Sequence, residues 1–274
     1  MKDEPSFYDF EKAGWEKASV VAGYHNQLSV VTRQSISSLL DAANVRSGNH
    51  VLDVATGAGY VAYAATQRGA KVVGIDFSAA QVRLAHESYP DIQFERADAE
   101  RIPFEAATFD SVVNGFGMCH FPDPAAALRD ALRVLRPGGK VAFSVWDKPA
   151  RAVGFGAVYS AIGAHGTLAV GLPAGPNFFL LSDPDVAMTM LQEEGFESPT
   201  FEQVEQTWTL NEPDALFQAV CSGSVRAAAT VAAQSVDAIA AIRSSLSRAV
   251  TSYRFGTGFA LPMHAVIYSA VKPN

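Results

Sequence analysis

Five short apolar runs separated by stretches of helical spacing constrain this chain more than any other feature: HVLDVA (50–55), KVVGID (71–76), IQFERAD (92–98), FDSVVNG (109–115) and KVAFSVW (140–146). Strands that alternate with helices pair in parallel through right-handed crossovers, which predicts a sheet with helices on both faces. Helix signals fall between the runs. Ser78-x-x-Gln81 has capping-box spacing and opens a helix with a buried stripe of Val82, Ala85 and Tyr89. Asp123-Pro124 supplies an N-cap and a pre-set first turn, Leu128, Leu132 and Leu135 recur at helical spacing, and Arg136-Pro137-Gly138-Gly139 ends that helix.

Beyond Trp146 the pattern becomes a Gly- and Pro-rich loop to about Ser182, then a helix from Asp183-Pro184 to Gly195-Phe196. TFEQVEQTWTL predicts one alternating strand over 200–210, and MHAVIYSAV a last strand over 263–271. Between them lies an Ala-rich helical segment, 212–252, expected as an insertion over one sheet edge. Its stripe of Val225, Ala229, Ala232, Val236, Ile239 and Leu246 is broken by Arg226, Gln234, Asp237 and Arg243, so it is expected to pack on protein. The expected organisation is an N-terminal helical lid (1–46), a ligand-binding core (47–148) and the remainder of the core sheet (149–274) with cap insertions at 149–182 and 211–260.

With 21 Lys and Arg against 28 Asp and Glu, a formal charge of -7 and no dense basic run, a nucleic-acid partner is not expected. The opening MKDEPSFYDF carries neither a basic leader nor an apolar stretch, and no segment approaches the ~20 apolar residues of a membrane span. A cytoplasmic protein without membrane partners is the expectation, monomeric or homodimeric. Cys119 and Cys221 stand apart from each other and from any metal-like spacing, so neither a disulfide framework nor a metal site is expected.

DVATGAGY (53–60) follows the first strand, where open parallel sheets bind ligands. Gly57 and Gly59 let backbone amides approach a ligand, and the helix that follows turns its positive end toward an anion. Asp53 narrows the choice, because a carboxylate there repels a diphosphate and pairs with an ammonium. Asp76 can accept both hydroxyls of a ribose, which serves a nicotinamide cofactor equally. Asp98 can accept from an adenine amino group, with the amide of Ala99 or Glu100 reaching a ring nitrogen. The implied ligand is an adenosine joined to an amino acid.

Over about 45–147 the chain resembles the class I S-adenosylmethionine-dependent methyltransferases, in their small-molecule group. VLDVATGAGYVA, VVGIDFS, FERADAERIPF, FDSVVNGFGMCHFPDP and LRVLRPGGKVAFSVW stand in the order and spacing of that family. The resemblance implies a doubly wound α/β fold of Rossmann-like type, with seven mostly parallel strands in the order 3-2-1-4-5-7-6, an antiparallel last strand and helical cap insertions. It implies S-adenosyl-L-methionine as cofactor. Asp53 and Gly57 to Gly59 would hold the methionine part, Ala55 and Thr56 would complete the turn, and Asp76 would hold the ribose. Phe77 and Gln81 would flank the adenosine, Asp98, Ala99 and Glu100 would read the adenine, and Asn114, Gly115 and Phe116 would floor the sulfonium. The turn departs from the family's usual Gly-Cys-Gly or Gly-Thr-Gly, with Ala55-Thr56-Gly57-Ala58-Gly59 in its place.

A sulfonium methyl is already an activated electrophile, so the chain's task is to align a nucleophile and exclude water. If the acceptor arrives protonated, His120, past the fourth strand, and His25, in the N-terminal helical region, are the candidate bases; the alternative for each is a structural role. Trp15, Tyr24, Phe155, Tyr159 and Phe179 are the candidate acceptor contacts, pointing to a flat or greasy small molecule methylated at O, N or C. Two other enzymatic readings stay open: a cofactor-bound rearrangement or elimination without methyl transfer, and an NAD-linked oxidoreductase, which Asp53 and the lack of a Tyr-x-x-x-Lys pair disfavour. A scaffold with a decayed site is disfavoured by the intact polar set.

Overall fold

The computed structural model describes residues 5–274; residues 1–4, the start of the expected lid, lie outside the described residues. Among the described residues ten strands follow in chain order: β1 (His50–Val54), β2 (Lys71–Asp76), β3 (Gln93–Arg96), β4 (Phe109–Gly115), β5 (Leu135–Trp146), β6 (Glu197–Val204), β7 (Thr207–Leu210), β8 (Arg254–Phe255), β9 (Gly258–Pro262) and β10 (Ala265–Val271). The chain divides into two compact units. The larger comprises Thr32–Trp146, Gly175–Val204 and Ala265–Asn274; the smaller comprises the N-terminal segment through Val31, Asp147–Ala174 and Glu205–His264.

The larger unit is built on a seven-stranded sheet in the order β3-β2-β1-β4-β5-β10-β6. β1 to β5 pair in parallel, and β10 runs antiparallel between β5 and β6. Counting only the strands of this sheet, the order is 3-2-1-4-5-7-6, as the resemblance implied. Alternation along each strand sends side chains to two cores. Leu52, Val54, Val112, Val141 and Phe143 pack on one face with Leu128 and Val134 of the Pro124–Val134 helix and Leu191 of the Pro184–Glu193 helix. Val51, Val113 and Ala142 pack on the other with Leu39 and Leu40 of the Ile36–Ala42 helix and Ala62 and Ala65 of the Tyr60–Gln67 helix. The expected caps form: Ser78 accepts from the Gln81 amide and Asp123 from the Ala126 amide.

The smaller unit holds a three-stranded antiparallel sheet, β7-β9-β8, and helices including Phe7–Trp15, Ala18–Gly23, Val153–His165, Ala215–Gly223, Arg226–Ala232 and Val236–Thr251. Gly23 and Gly223 let two helices touch by their backbones, since a Cβ on Gly23 would lie 2.3 Å from the Ser222 carbonyl oxygen. No single helix among the described residues is long and apolar enough to cross a membrane.

Four sequence expectations are corrected here. The run expected as one strand over 200–210 is two strands in two sheets, β6 and β7. Between them the buried Gln206 donates from Nε2 to the Val31 carbonyl at 2.9 Å and accepts the Met263 amide on its own carbonyl, turning the chain from one ladder to the other. The segment expected as a loop to 182 contains the 13-residue helix Val153–His165, whose Gly154, Gly156 and Gly163 mask its propensity. Gly156 is required by packing: a Cβ there would lie 2.2 Å from the Pro149 carbonyl oxygen. The 212–252 segment is three helices with breaks at Ser224-Val225 and Ala233-Gln234-Ser235. The last strand begins at Ala265, after the hairpin of β8 and β9.

Candidate cofactor-binding site

β1 ends in a turn that takes left-handed backbone three times, at Ala55 (φ 54), Gly57 (φ 55) and Gly59 (φ 82). A glycine is required at 59 on steric grounds as well, since a Cβ would sit 2.7 Å from Phe94. Alanine pays about 1–2 kcal/mol for this conformation, so the turn holds strain at Ala55. The Thr56 amide ties the turn to β2 through the Ile75 carbonyl at 2.9 Å. Gly59 then serves as N-cap of the Tyr60–Gln67 helix with no side-chain cap of its own, and the Ala62 amide in the first turn is met by Asp53 instead.

Asp53 lies beneath this turn and is fully buried. Its Oδ2 accepts from Thr56 Oγ1 at 2.6 Å and from the Ala62 amide, in the first turn of the helix, at 3.0 Å. Its Oδ1, equally sealed, has no donor. Burial pushes the carboxyl up to about 7, against the lowering effect of the Thr56 and Ala62 bonds and with a smaller upward contribution from the Asp76 charge.

Asp76, at the end of β2, accepts the Gly57 amide on Oδ2 at 3.0 Å and the Ser78 amide on Oδ1 at 2.9 Å. It thereby joins the turn to the next crossover. Gln81 is buried in the first turn of the Ala79–Ser88 helix, its Oε1 facing Gly57, and the Phe77 carbonyl accepts from Arg96 Nε at 3.0 Å. Beyond β3, Asp98 Oδ1 accepts the Glu100 amide at 2.9 Å, and Glu100 Oε1 accepts the Asp123 amide at 2.8 Å. Glu100 is thus a brace for the Pro124–Val134 helix; burial, first, and the neighbouring Asp98 and Asp123 charges raise its carboxyl.

At the end of β4 the buried Asn114 acts on the backbone. Nδ2 donates to the Val54 carbonyl at 2.8 Å, and Oδ1 accepts the Gly117 and Met118 amides at 2.9 and 3.2 Å. This brings the β4 turn against the β1 turn, so closely that a Cβ on Gly117 would meet Ala55 Cβ at 2.8 Å. Gly115 pairs with Ser144 of β5. Phe116 follows in left-handed conformation (φ 60), its amide bound to the Ser144 carbonyl and its ring on Trp146 at 4.4 Å between centroids. His120 closes the short 3-10 turn Met118–His120 just beyond, half-buried.

The larger unit contains Asp53, Ala55, Thr56, Gly57, Gly59, Asp76, Phe77, Gln81, Asp98, Ala99, Glu100, Asn114, Gly115, Phe116 and His120, and also Phe179, which meets Phe178 edge-to-face at 5.0 Å. His25, Trp15, Tyr24, Phe155 and Tyr159 belong to the smaller unit. There, His25 lies in the π-turn Tyr24–Leu28, Trp15 meets Tyr24 edge-to-face at 5.5 Å and donates from Nε1 to Glu11, and Phe155 is buried in its helix.

Three residues at this site were missed in the sequence: Trp146, Arg33 and Tyr60. Trp146 looked like the end of a strand, and its partnership with Phe116 follows only from the β4–β5 pairing. The Arg33 guanidinium lies over the Tyr60 ring at 4.7 Å, a contact across 27 positions that no local spacing announces.

Comparison with known proteins agrees with this geometry. Residues 52–143 match the family model described as a methyltransferase domain. A demethylmenaquinone methyltransferase from Renibacterium salmoninarum is 36% identical over 118 residues, covering 43% of this chain and 50% of that protein. A ubiquinone/menaquinone biosynthesis C-methyltransferase, UbiE, from Idiomarina loihiensis is 36% identical over 122 residues, covering 41% and 49%. The matches thus span about half the length of those relatives. Among solved structures, the Haemonchus contortus phosphoethanolamine N-methyltransferase 2 in complex with S-adenosyl-L-methionine shares the fold at a TM-score of 0.59 and 18% identity, over all of this chain and 61% of that one.

Proposed function

We propose that this chain, a class I S-adenosylmethionine-dependent methyltransferase by its core, moves a methyl group to O, N or C of a small, largely apolar or aromatic acceptor by in-line displacement. The observation that carries this reading is Asp53 Oδ1, a buried carboxylate oxygen without a donor beneath a glycine turn. A buried acceptor left unmatched costs about 1–3 kcal/mol, which an ammonium removes while also compensating the charge. A diphosphate offers neither.

The rest of the site fits the same cofactor. Asp76, whose two oxygens accept the Gly57 and Ser78 amides at the end of β2, is the candidate partner of the ribose hydroxyls. Asp98 and the Ala99 amide face an adenine edge in this reading, while the Glu100 amide is occupied by Asp98. Phe116 on Trp146 supports an aromatic floor beside the transferring group. When bound, the cofactor supplies an activated methyl; the chain holds it, keeps water out and positions the acceptor. His120 is the candidate base on this unit and His25 on the other, with Trp15, Tyr24, Phe155, Tyr159 and Phe179 as candidate acceptor contacts. The names of the relatives, which concern quinone rings, support a hydroxylated aromatic acceptor.

The test is transfer of a labelled methyl from S-adenosylmethionine to a panel of phenols, naphthols, amines and acids by the full chain. Label in an aromatic acceptor supports the proposal. Saturable cofactor binding without label in any class, or turnover that leaves the cofactor intact, contradicts it.

A further inference from the structure

The pairing of β5 with β10 ends at Trp146 and Ala265. Because β5 runs parallel to β4, its carboxyl end lies at the edge of the sheet where open α/β folds bind ligands, and the antiparallel β10 starts at that edge. The next residues along the chain are Asp147 and His264, the first and last residues of two segments of the smaller unit. His264 is held by its backbone on both sides: its carbonyl accepts the Asp147 amide at 3.0 Å, and its amide donates to the Arg151 carbonyl at 3.2 Å. The side chains add a relay of their own. Buried Asp147 accepts from Arg151 Nε on Oδ2 at 2.7 Å, and a terminal nitrogen of the same guanidinium lies 2.8 Å from His264 Nδ1. A guanidinium can only donate, so Nδ1 is the acceptor and the ring carries its proton on Nε2. Among the described residues no group meets that Nε2, and His264 is half-buried. The imidazole is thus oriented, with one nitrogen committed and one N–H open. The Asp147–Arg151 pair and the two backbone bonds already tie these chain ends, and none of them uses the imidazole.

We propose that His264 positions the methyl acceptor: its Nε2–H donates to an oxygen borne by an otherwise apolar ring system, while Arg151 fixes the tautomer and Asp147 fixes Arg151. This assignment rests on the methyltransferase reading above and narrows it to acceptors whose ring carries an oxygen. The helix with the candidate contacts Phe155 and Tyr159 starts at Val153, just after Arg151, so one unit carries both those aromatic contacts and the donor. With its Nδ1 lone pair held by Arg151, His264 cannot take the acceptor's proton. It orients the acceptor and leaves the role of base to another group.

Calorimetric titration of the full chain, saturated with S-adenosylhomocysteine, tests this with α-naphthol and with naphthalene, which has the ring without the oxygen. Wild type, His264→Leu, His264→Gln and Arg151→Met are compared. Wild type is expected to bind α-naphthol at least about threefold more tightly than naphthalene, the share of one hydrogen bond. His264→Leu should remove that preference by weakening α-naphthol alone. His264→Gln, whose amide can accept from Arg151 and still donate, should keep part of it, and Arg151→Met, which frees the tautomer, should reduce it. Naphthalene doubles as the control for folding. Equal binding of α-naphthol by wild type and His264→Leu, an equal loss for both ring compounds, or a saturated wild type that binds neither overturns the assignment. So does an imidazole nitrogen NMR spectrum that places the His264 proton on Nδ1. Wild type that fails to bind S-adenosylhomocysteine removes the methyltransferase reading itself, a different and separable result.

Discussion

Thr56 Oγ1 donates to Asp53 Oδ2 at 2.6 Å, and with the Ala62 amide it holds the carboxylate so that its other oxygen is buried without a donor. One hydroxyl in the glycine turn thereby sets which oxygen of the buried acid is left without a donor.

Asp53→Asn separates stability from binding. The carboxyl is raised to about 7, above its ordinary 3.8, so the folded chain keeps a proton that the unfolded chain releases. Its contribution to stability is full below 3.8 and is lost as pH rises through about 7. The amide carries no such loss and can still accept from Thr56 and Ala62. The variant is expected to unfold at pH 8 at the wild-type temperature or above it, while S-adenosylhomocysteine affinity falls by about tenfold or more. Thermal unfolding and a binding titration on the same preparation check both halves; retained affinity contradicts the role of Asp53.

Asp76→Ala is expected to weaken cofactor binding by about 1–3 kcal/mol through loss of charged hydrogen bonds. Asp76 also accepts the Gly57 and Ser78 amides, so Asp76→Asn should recover part of the loss. An affinity unchanged in Asp76→Ala would show that the ribose lies elsewhere.

Ala55→Gly relieves the left-handed alanine. Release of about 1–2 kcal/mol of strain is set against about 0.4–1 kcal/mol of added unfolded-state freedom, so a small gain in the denaturation midpoint is expected. Ala55→Val should destabilise clearly. A destabilised Ala55→Gly variant would mean that Ala55 Cβ is held by packing, as its approach to Gly117 allows.

His120→Gln, if His120 is the base, should lower turnover by about 10²–10⁴-fold with cofactor affinity near normal. The same comparison on His25→Gln decides between them. Full turnover in both variants would show that the acceptor needs neither.

Much of the larger unit was legible in the sequence because its elements announce themselves locally. β1 to β5 are short apolar runs, and Ser78, Asp123 and Asp183 cap the helices that follow them. The smaller unit was less so. Gly154, Gly156 and Gly163 lower helix propensity over Val153–His165, and two of them, Gly154 and Gly156, sit where a Cβ would crowd Met263 and the Pro149 carbonyl, so tertiary contact overrode the local signal. No Gly or Pro interrupts the chain at Glu205 and Gln206, and a distant carbonyl, that of Val31, holds Gln206 where the chain changes sheet. The candidate cofactor residues were picked out in the sequence because their motifs are contiguous. Arg33 and Trp146 were not, because each acts through a partner far away in sequence, Tyr60 and Phe116.

The central claim is that the glycine turn holds a zwitterion tethered to a nucleoside, with Asp53 charged by its ammonium. Calorimetric titration with S-adenosylhomocysteine at pH 6 and pH 8, in buffers of different ionisation enthalpy, measures this most directly. A carboxyl near 7 that becomes paired should release close to one proton on binding at pH 6 and far less at pH 8, with tighter binding at the higher pH. No saturable binding, or binding of equal strength at both pH values without proton release, would contradict it.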